Sequence, residues 1–311
     1  LMFPRFDLSA FEAAQDDTRS DLARAIDKIC RETGFLVLDG HGVEQAVIDN
    51  VWIAAQAFFE QDAEAKQAVA PPFQGYPYGY LGPDAEALAR SKGEDTPPDL
   101  KESFNGGPLR VPDDANPDAL NFCYQPTLWP DLPDFKDAWQ AYYSAMEDLA
   151  ARVMRAFAVA LGLDDNHFDP FIANPISALR ALHYPATIGA PRDKQQRAGA
   201  HTDYGSLTIL LPQPGSQGLQ VQMGTEWVDV PAPEGAFVIN IGDLMARWTA
   251  DRWVSTLHRV VAKPAQPARQ SLAFFHQPDW DARIVPLDGS DAYLPVLSGP
   301  YLMDKFKATG V

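Results

Sequence analysis

The stretch "GAHTDYGSLTILLP", residues 199–212, sets His201 and Asp203 one residue apart just before an apolar run. Water solvates an imidazole and a carboxylate well, so placing both beside a segment bound for a core calls for a compensating partner. In extended chain, residues i and i+2 face the same side, and the pair can present its two groups to one point. One reading is a solvated turn. The other is two thirds of a metal site, and "RWVSTLHRVV" (252–261) supplies a third ligand in His258.

Eleven residues beyond His258, "RQS" puts Arg269 and Ser271 on one strand face. A guanidinium fork beside a hydroxyl binds a carboxylate through short charge-assisted hydrogen bonds. Two histidines and a carboxylate leave a divalent metal about three open positions, the arrangement of non-haem Fe(II) oxygenases. Leu207, Ile209 and Leu211 alternate after Asp203 and are expected to wall the enclosure. Arg180, Leu182 and Tyr184 of "ISALRALHYP" (176–185) share a face. Arg180 on that face is a candidate contact for an anionic or polar group of the substrate, or else a salt-bridged structural arginine. His183 and His276 are expected at the rim, His41 in a turn and His167 after a helix end, none of them ligating metal.

The rest of the chain frames this site. Apolar spacing predicts helices over 17–33, 43–60 and 134–163, with a short strand at 34–40. Residues 71–133, rich in Pro, Gly and aromatics, read as mostly loop. From 176 onward, short β-rich runs separated by Pro and Gly indicate a sandwich or barrel of the jelly-roll kind. The expected fold is mixed α and β: a jelly-roll core (176–280), a helical and loop-rich N-terminal region (1–133), a long supporting helix (134–163) and a C-terminal segment (281–311). Together, 1–311 form one catalytic unit.

Composition narrows the partners. A formal charge of −17 repels phosphate backbones and anionic lipid, so no nucleic acid or membrane partner is expected, only a small-molecule substrate. No apolar run approaches the roughly 18 residues of a membrane span. No secretory pattern opens the sequence, which makes the expected location cytoplasmic. Cys30 and Cys123 form no CxxC pair and read as reduced core thiols.

The order HxD, His, RxS resembles that of the isopenicillin N synthase-like group of Fe(II)- and 2-oxoglutarate-dependent oxygenases. The likeness extends to "CRETGFLVLDGHGV" (30–43), "DLKESFNGG" (99–107), "LHYP" (182–185) and "LSGPYLMDKF" (297–306). It implies a distorted double-stranded β-helix in which His201, Asp203 and His258 hold Fe(II). 2-Oxoglutarate would chelate the metal and place its 5-carboxylate on Arg269 and Ser271, with Tyr184 as a further co-substrate contact and Phe275 against the substrate. Many plant members carry Asn where this chain has Leu182. The implied reaction consumes O2, with ascorbate as a possible reductant, and oxidises a C–H bond by hydroxylation, desaturation or cyclisation, releasing succinate and CO2. Three alternatives stay open: a relative that uses the same iron triad without 2-oxoglutarate, a zinc hydrolase, and a non-catalytic binding protein. The absence of HExxH speaks against the hydrolase, and three intact ligands speak against a binding protein.

Overall fold

Fourteen strands and eight α-helices make up the computed structural model, which describes residues 2–309. Residues 1, 310 and 311, at the ends of the expected unit, lie outside the described residues. The strands are β1 (Arg5–Asp7), β2 (Phe35–Asp39), β3 (Gly79–Leu81), β4 (Glu102–Gly106), β5 (Ala178–Tyr184), β6 (Ala198–His201), β7 (Leu207–Pro212), β8 (Leu219–Met223), β9 (Glu226–Asp229), β10 (Phe237–Ile241), β11 (His258–Val260), β12 (Arg269–His276), β13 (Arg283–Ile284) and β14 (Val296–Leu297). The helices are α1 (Leu8–Ala13), α2 (Asp16–Glu32), α3 (Gln45–Phe59), α4 (Ala63–Gln67), α5 (Pro117–Phe122), α6 (Phe135–Ala160), α7 (Asp243–Trp248) and α8 (Ser298–Thr309).

Eight strands form a main sheet in the order β1-β2-β10-β7-β12-β5-β4-β3, and four form a minor sheet, β6-β11-β8-β9. From β5 to β12 the chain passes from sheet to sheet: main, minor, main, a minor hairpin, main, minor, main. That alternation is a jelly roll, a distorted double-stranded β-helix. Residues 71–133, read as loop, contribute β3 and β4 to the main sheet, with Asn105 opposite Arg180 and Ser103 opposite Leu182. Short length and flanking prolines hide these strands from a periodicity search.

The central strands of the main sheet, β10, β7 and β12, have two buried faces. The outer face (Leu36, Leu38, Leu207, Ile209, Leu211, Phe237, Ile239, Leu272 and Phe274) packs on helices. Helix α6 offers an apolar stripe at helical spacing, including Trp139, Tyr143, Met146, Ala150, Val153 and Phe157. The inner face meets the minor sheet through Phe35, Leu182, Tyr184, Val238 and Ala273 against Ala198, Leu219, Val221 and Val260. Leu207, Ile209 and Leu211 thus face the helices, not the enclosure: in β7 it is Thr208 and Leu210 that look inward. The more hydrophobic parity of that run follows the larger core.

The strand expected over 252–261 shortens to β11. Trp253, wholly buried, holds its approach in a turn: Nε1 donates to Asp27 Oδ1 at 2.8 Å and the ring packs edge-on against Phe157. Cys30 and Cys123 are buried and unbridged. No helix among the described residues is long and apolar enough to cross a membrane.

Candidate active site

β6 and β11 pair antiparallel with His201 directly opposite His258, their ring centroids 4.3 Å apart. β6 ends at His201, so Asp203 does not continue that strand. It sits in the crossover by which the chain leaves the minor sheet for β7 in the main sheet. The i, i+2 rule finds the right pair on the wrong scaffold. Its convergence comes from a tight turn held by neighbours: the first amides of α7 donate to the carbonyls of Asp203 (2.8 Å) and Tyr204 (3.1 Å). A Cβ on Gly205 would stand 2.8 Å from the His276 carbonyl oxygen, so only glycine lets this crossover lie so close to β12.

Asp203 Oδ1 lies 3.7 Å from His201 Nε2 and 3.5 Å from His258 Nε2. The three ligand atoms all fall within 4.8 Å of one another, a cluster that can hold a divalent cation. Each imidazole is turned for that role. His201 Nδ1 is 2.7 Å from the Gly199 carbonyl and His258 Nδ1 is 3.1 Å from that of Thr256. A carbonyl only accepts, so the proton sits on Nδ1 and the Nε2 lone pair is left for a metal. Asp203 Oδ2 in turn accepts from Thr208 Oγ1 at 2.5 Å and Asn240 Nδ2 at 2.7 Å, which leaves Oδ1 facing the histidines.

Electrostatics support the same division at His201 and Asp203. Burial, aided by the nearby His258, pushes His201 down to about 3, so it is neutral at physiological pH. Burial alone would raise the Asp203 carboxyl, but the two histidines and the Asn240 amide hold it well below the carboxylate range. Burial lowers His258 while the Asp203 charge raises it, and the net direction is up.

Along the inner face of β12 run Arg269, Ser271, Ala273 and Phe275, alternating with outward residues. Thr208 pairs with Phe275, which ties this face to the Asp203 turn. At the other end Arg269 pairs with Tyr184, its guanidinium carbon 5.3 Å from the ring centroid. Arg269 is 4 % exposed, yet its Nε and Nη1 have no hydrogen-bond partner, and burial lowers its pKa. A buried cation with idle donors fits a carboxylate from outside the chain.

Arg180 shares the inner face with Leu182 and Tyr184 but is already engaged. Its Nε donates to Asn105 Oδ1 at 2.5 Å and its Nη1 to both oxygens of Glu86. Lys101 Nζ lies 3.1 Å from the same Glu86 carboxylate. Burial would raise Glu86, but Arg180 and Lys101 outweigh it and hold the carboxyl at about 2. His183 and His276 leave the expected rim, whereas His41 keeps its expected turn. His183 is on the outer face, stacked on Phe59 and 2.8 Å from Glu102 Oε1, since its neighbours 182 and 184 point inward. His276 is buried against Ser206 Oγ at 2.9 Å, and His41 closes its turn by accepting from the Val43 amide.

Thr208, Asn240, Lys101, Glu86 and Arg197 escape a motif search. A polar residue inside an otherwise apolar strand, as in "SLTILLP" and "FVINI", is the available signal, because a buried polar group needs a partner.

Comparison with known proteins agrees with this geometry. Residues 175–278 match the 2OG-Fe(II) oxygenase superfamily, and residues 3–132 match the N-terminal region described as non-haem dioxygenase in morphine synthesis. The chain is 34% identical to validamycin A dioxygenase of Streptomyces hygroscopicus subsp. limoneus, covering 95% of this chain and 83% of that one. The chain belongs to the 2OG-Fe(II) oxygenase superfamily. This oxygenase is also 34% identical to the 2-oxoglutarate-dependent dioxygenase traH of Penicillium crustosum, over 93% of its own length and 88% of the relative's. A full-length Neurospora crassa protein, solved in complex with α-KG, superposes with a TM-score of 0.84 at 31% identity, covering 99% of this chain and 96% of that chain. The oxygenase accordingly depends on Fe(II), 2-oxoglutarate and O2, and acts on a small molecule.

Proposed function

We propose that His201, Asp203 and His258 are the iron ligands of this oxygenase, that Arg269 and Ser271, beside Tyr184, receive the distal carboxylate of 2-oxoglutarate, and that the reaction is hydroxylation of an unactivated C–H bond in a small organic substrate. The observation that carries the assignment is the meeting of Asp203 Oδ1 with two Nε2 lone pairs inside 4.8 Å. Iron and 2-oxoglutarate, when bound, supply O2 activation coupled to release of CO2 and succinate. The chain's own residues orient and enclose. Thr208 and Asn240 fix the carboxylate, the Gly199 and Thr256 carbonyls fix the rings, and the apolar inner faces keep water away.

Phe275 offers the substrate an apolar wall, and the row formed by Lys101, Asn105 and Arg180 with Glu86 a polar, charged one. A substrate with hydrogen-bonding groups suits them. The net charge of −17 speaks against nucleic acid and anionic membrane as partners.

Anaerobic titration with Fe(II) and 2-oxoglutarate tests the ligand assignment. A weak visible metal-to-ligand charge-transfer band is expected, lost in His201→Ala and in His258→Ala. A band surviving in either variant rejects these ligands. Oxygen uptake that needs no added 2-oxoglutarate and yields no succinate would reject the co-substrate role.

A further inference from the structure

Two arginines stand buried at one end of the space between the sheets, and only one of them belongs to the RxS pair. Arg197, 2 % exposed, lies immediately before β6. Its Nη2 donates to the carbonyl of Pro185 at 2.9 Å and to that of Pro267 at 2.7 Å, while its Nε has no partner. Pro185 follows Tyr184 and Pro267 precedes Arg269 by two residues, and Tyr184 and Arg269 are paired across β5 and β12. Arg197 therefore spans the end of that ladder just beyond the Tyr184–Arg269 rung.

No carboxylate of the described residues forms an ion pair with Arg197 or Arg269. Burial lowers the pKa of both, and the Arg269 charge lowers that of Arg197 further. Two adjacent buried cations with idle donors are strongly unfavourable unless an anion joins them. Arg197 stands four residues before His201, and β6 is bulged between Ala198 and His201. At most roughly 13 Å of chain therefore links this cationic end to the metal-binding cluster, a span of the order that a short dicarboxylate held at both ends requires.

We propose that Arg197 is a positioning residue for the co-substrate: with Arg269 it forms a doubly charged end wall that selects a 2-oxoacid bearing a distal carboxylate over a monocarboxylic one. The proposal rests on the reading that Arg269 receives that carboxylate.

The test is calorimetric binding to Mn(II)-loaded protein, without turnover, of 2-oxoglutarate and of 2-oxopentanoate, which has the same chain length and no second carboxylate. Arg197→Gln is expected to weaken 2-oxoglutarate by about tenfold and leave 2-oxopentanoate unchanged, the size of effect one nearby buried charge exerts. Arg197→Lys, which keeps the charge and loses the two-carbonyl bridge, should retain most of the preference. Equal weakening of both ligands, or a preference intact in folded Arg197→Gln, would make Arg197 a strut and overturn the proposal. Where the glutamine variant does not fold, the lysine variant decides: preference kept supports the charge, and preference lost in folded protein refutes it. Arg269→Met separates the two levels, because a preference that survives there sinks the underlying reading whatever Arg197 does.

Discussion

Thr208→Val removes one hydroxyl from the side of Asp203 that faces away from the metal position and changes little else. Thr208 is 5 % exposed, and valine keeps its shape and its place between Asn240 and Phe275. What disappears is the 2.5 Å bond to Oδ2. A hydrogen bond to a charged group is worth about 1.5–3 kcal/mol, which caps the loss in metal affinity near a hundredfold. The bond exists with and without metal, so only the part that keeps Oδ1 aimed at the histidines enters the affinity. Outer partners of metal ligands cost about 10- to 100-fold when removed, and the lower end applies because Asn240 still holds the same oxygen. We expect Mn(II) binding to weaken about tenfold in Thr208→Val and about thirtyfold, not a hundredfold, when Asn240→Leu is added, since two bonds to one atom are not additive. Thr208→Ser should restore affinity. Calorimetric titration measures this, with melting curves of the metal-free proteins as the control. Affinity within twofold of the parent in a folded Thr208→Val would refute the claim that Oδ2 is the orienting oxygen.

Three other outcomes are expected. Arg180→Met should raise the substrate's KM by about tenfold, the loss of one charged hydrogen bond, while succinate formation without substrate is unchanged; an unaltered KM makes Arg180 a structural partner of Glu86. Burial would raise Glu102, but His183, Tyr80 and Lys66 together hold it at about 2 against an ordinary 4.5, so its contribution to stability is whole above 4.5 and is lost as pH falls from there toward 2. Acid unfolding followed by circular dichroism should therefore be flatter over that window in Glu102→Gln, and a parallel curve contradicts the assignment. Gly205→Ala would bring a methyl to 2.8 Å from the His276 carbonyl oxygen and should destabilise by about 1–3 kcal/mol; Gly189→Ala, with nothing within 4 Å, should have no effect on the melting temperature.

Much of this was legible in the chain itself. Helical periodicity located α2, α3 and α6 to within a few residues, because a stripe against one core repeats every three or four positions. The order of His201, Asp203, His258, Arg269 and Ser271 named the chemistry through its resemblance to a known family. The residue types fit it, since two imidazoles and a carboxylate hold a divalent metal and a guanidinium fork holds a carboxylate. Parity was less secure. Which side of "SLTILLP" faced the metal could not be read from hydrophobicity when both sides are buried, and the more apolar one went to the helices. Nothing in the sequence says that β6 begins beside Arg197 or that it bulges between Ala198 and His201, so the second arginine stayed hidden.

Sequence alone determined which functional groups the protein carries and the order in which they occur, because those are properties of residue type and spacing. Tertiary structure decided how they meet. It set Asp203 in a crossover and not on a strand, placed Thr208 and Asn240 behind its outer oxygen, tied Arg180 to Glu86, and left Arg197 and Arg269 buried with no ion pair to a described carboxylate. Each of these depends on contacts between segments distant in the chain, and such contacts exist only once two sheets have closed on each other.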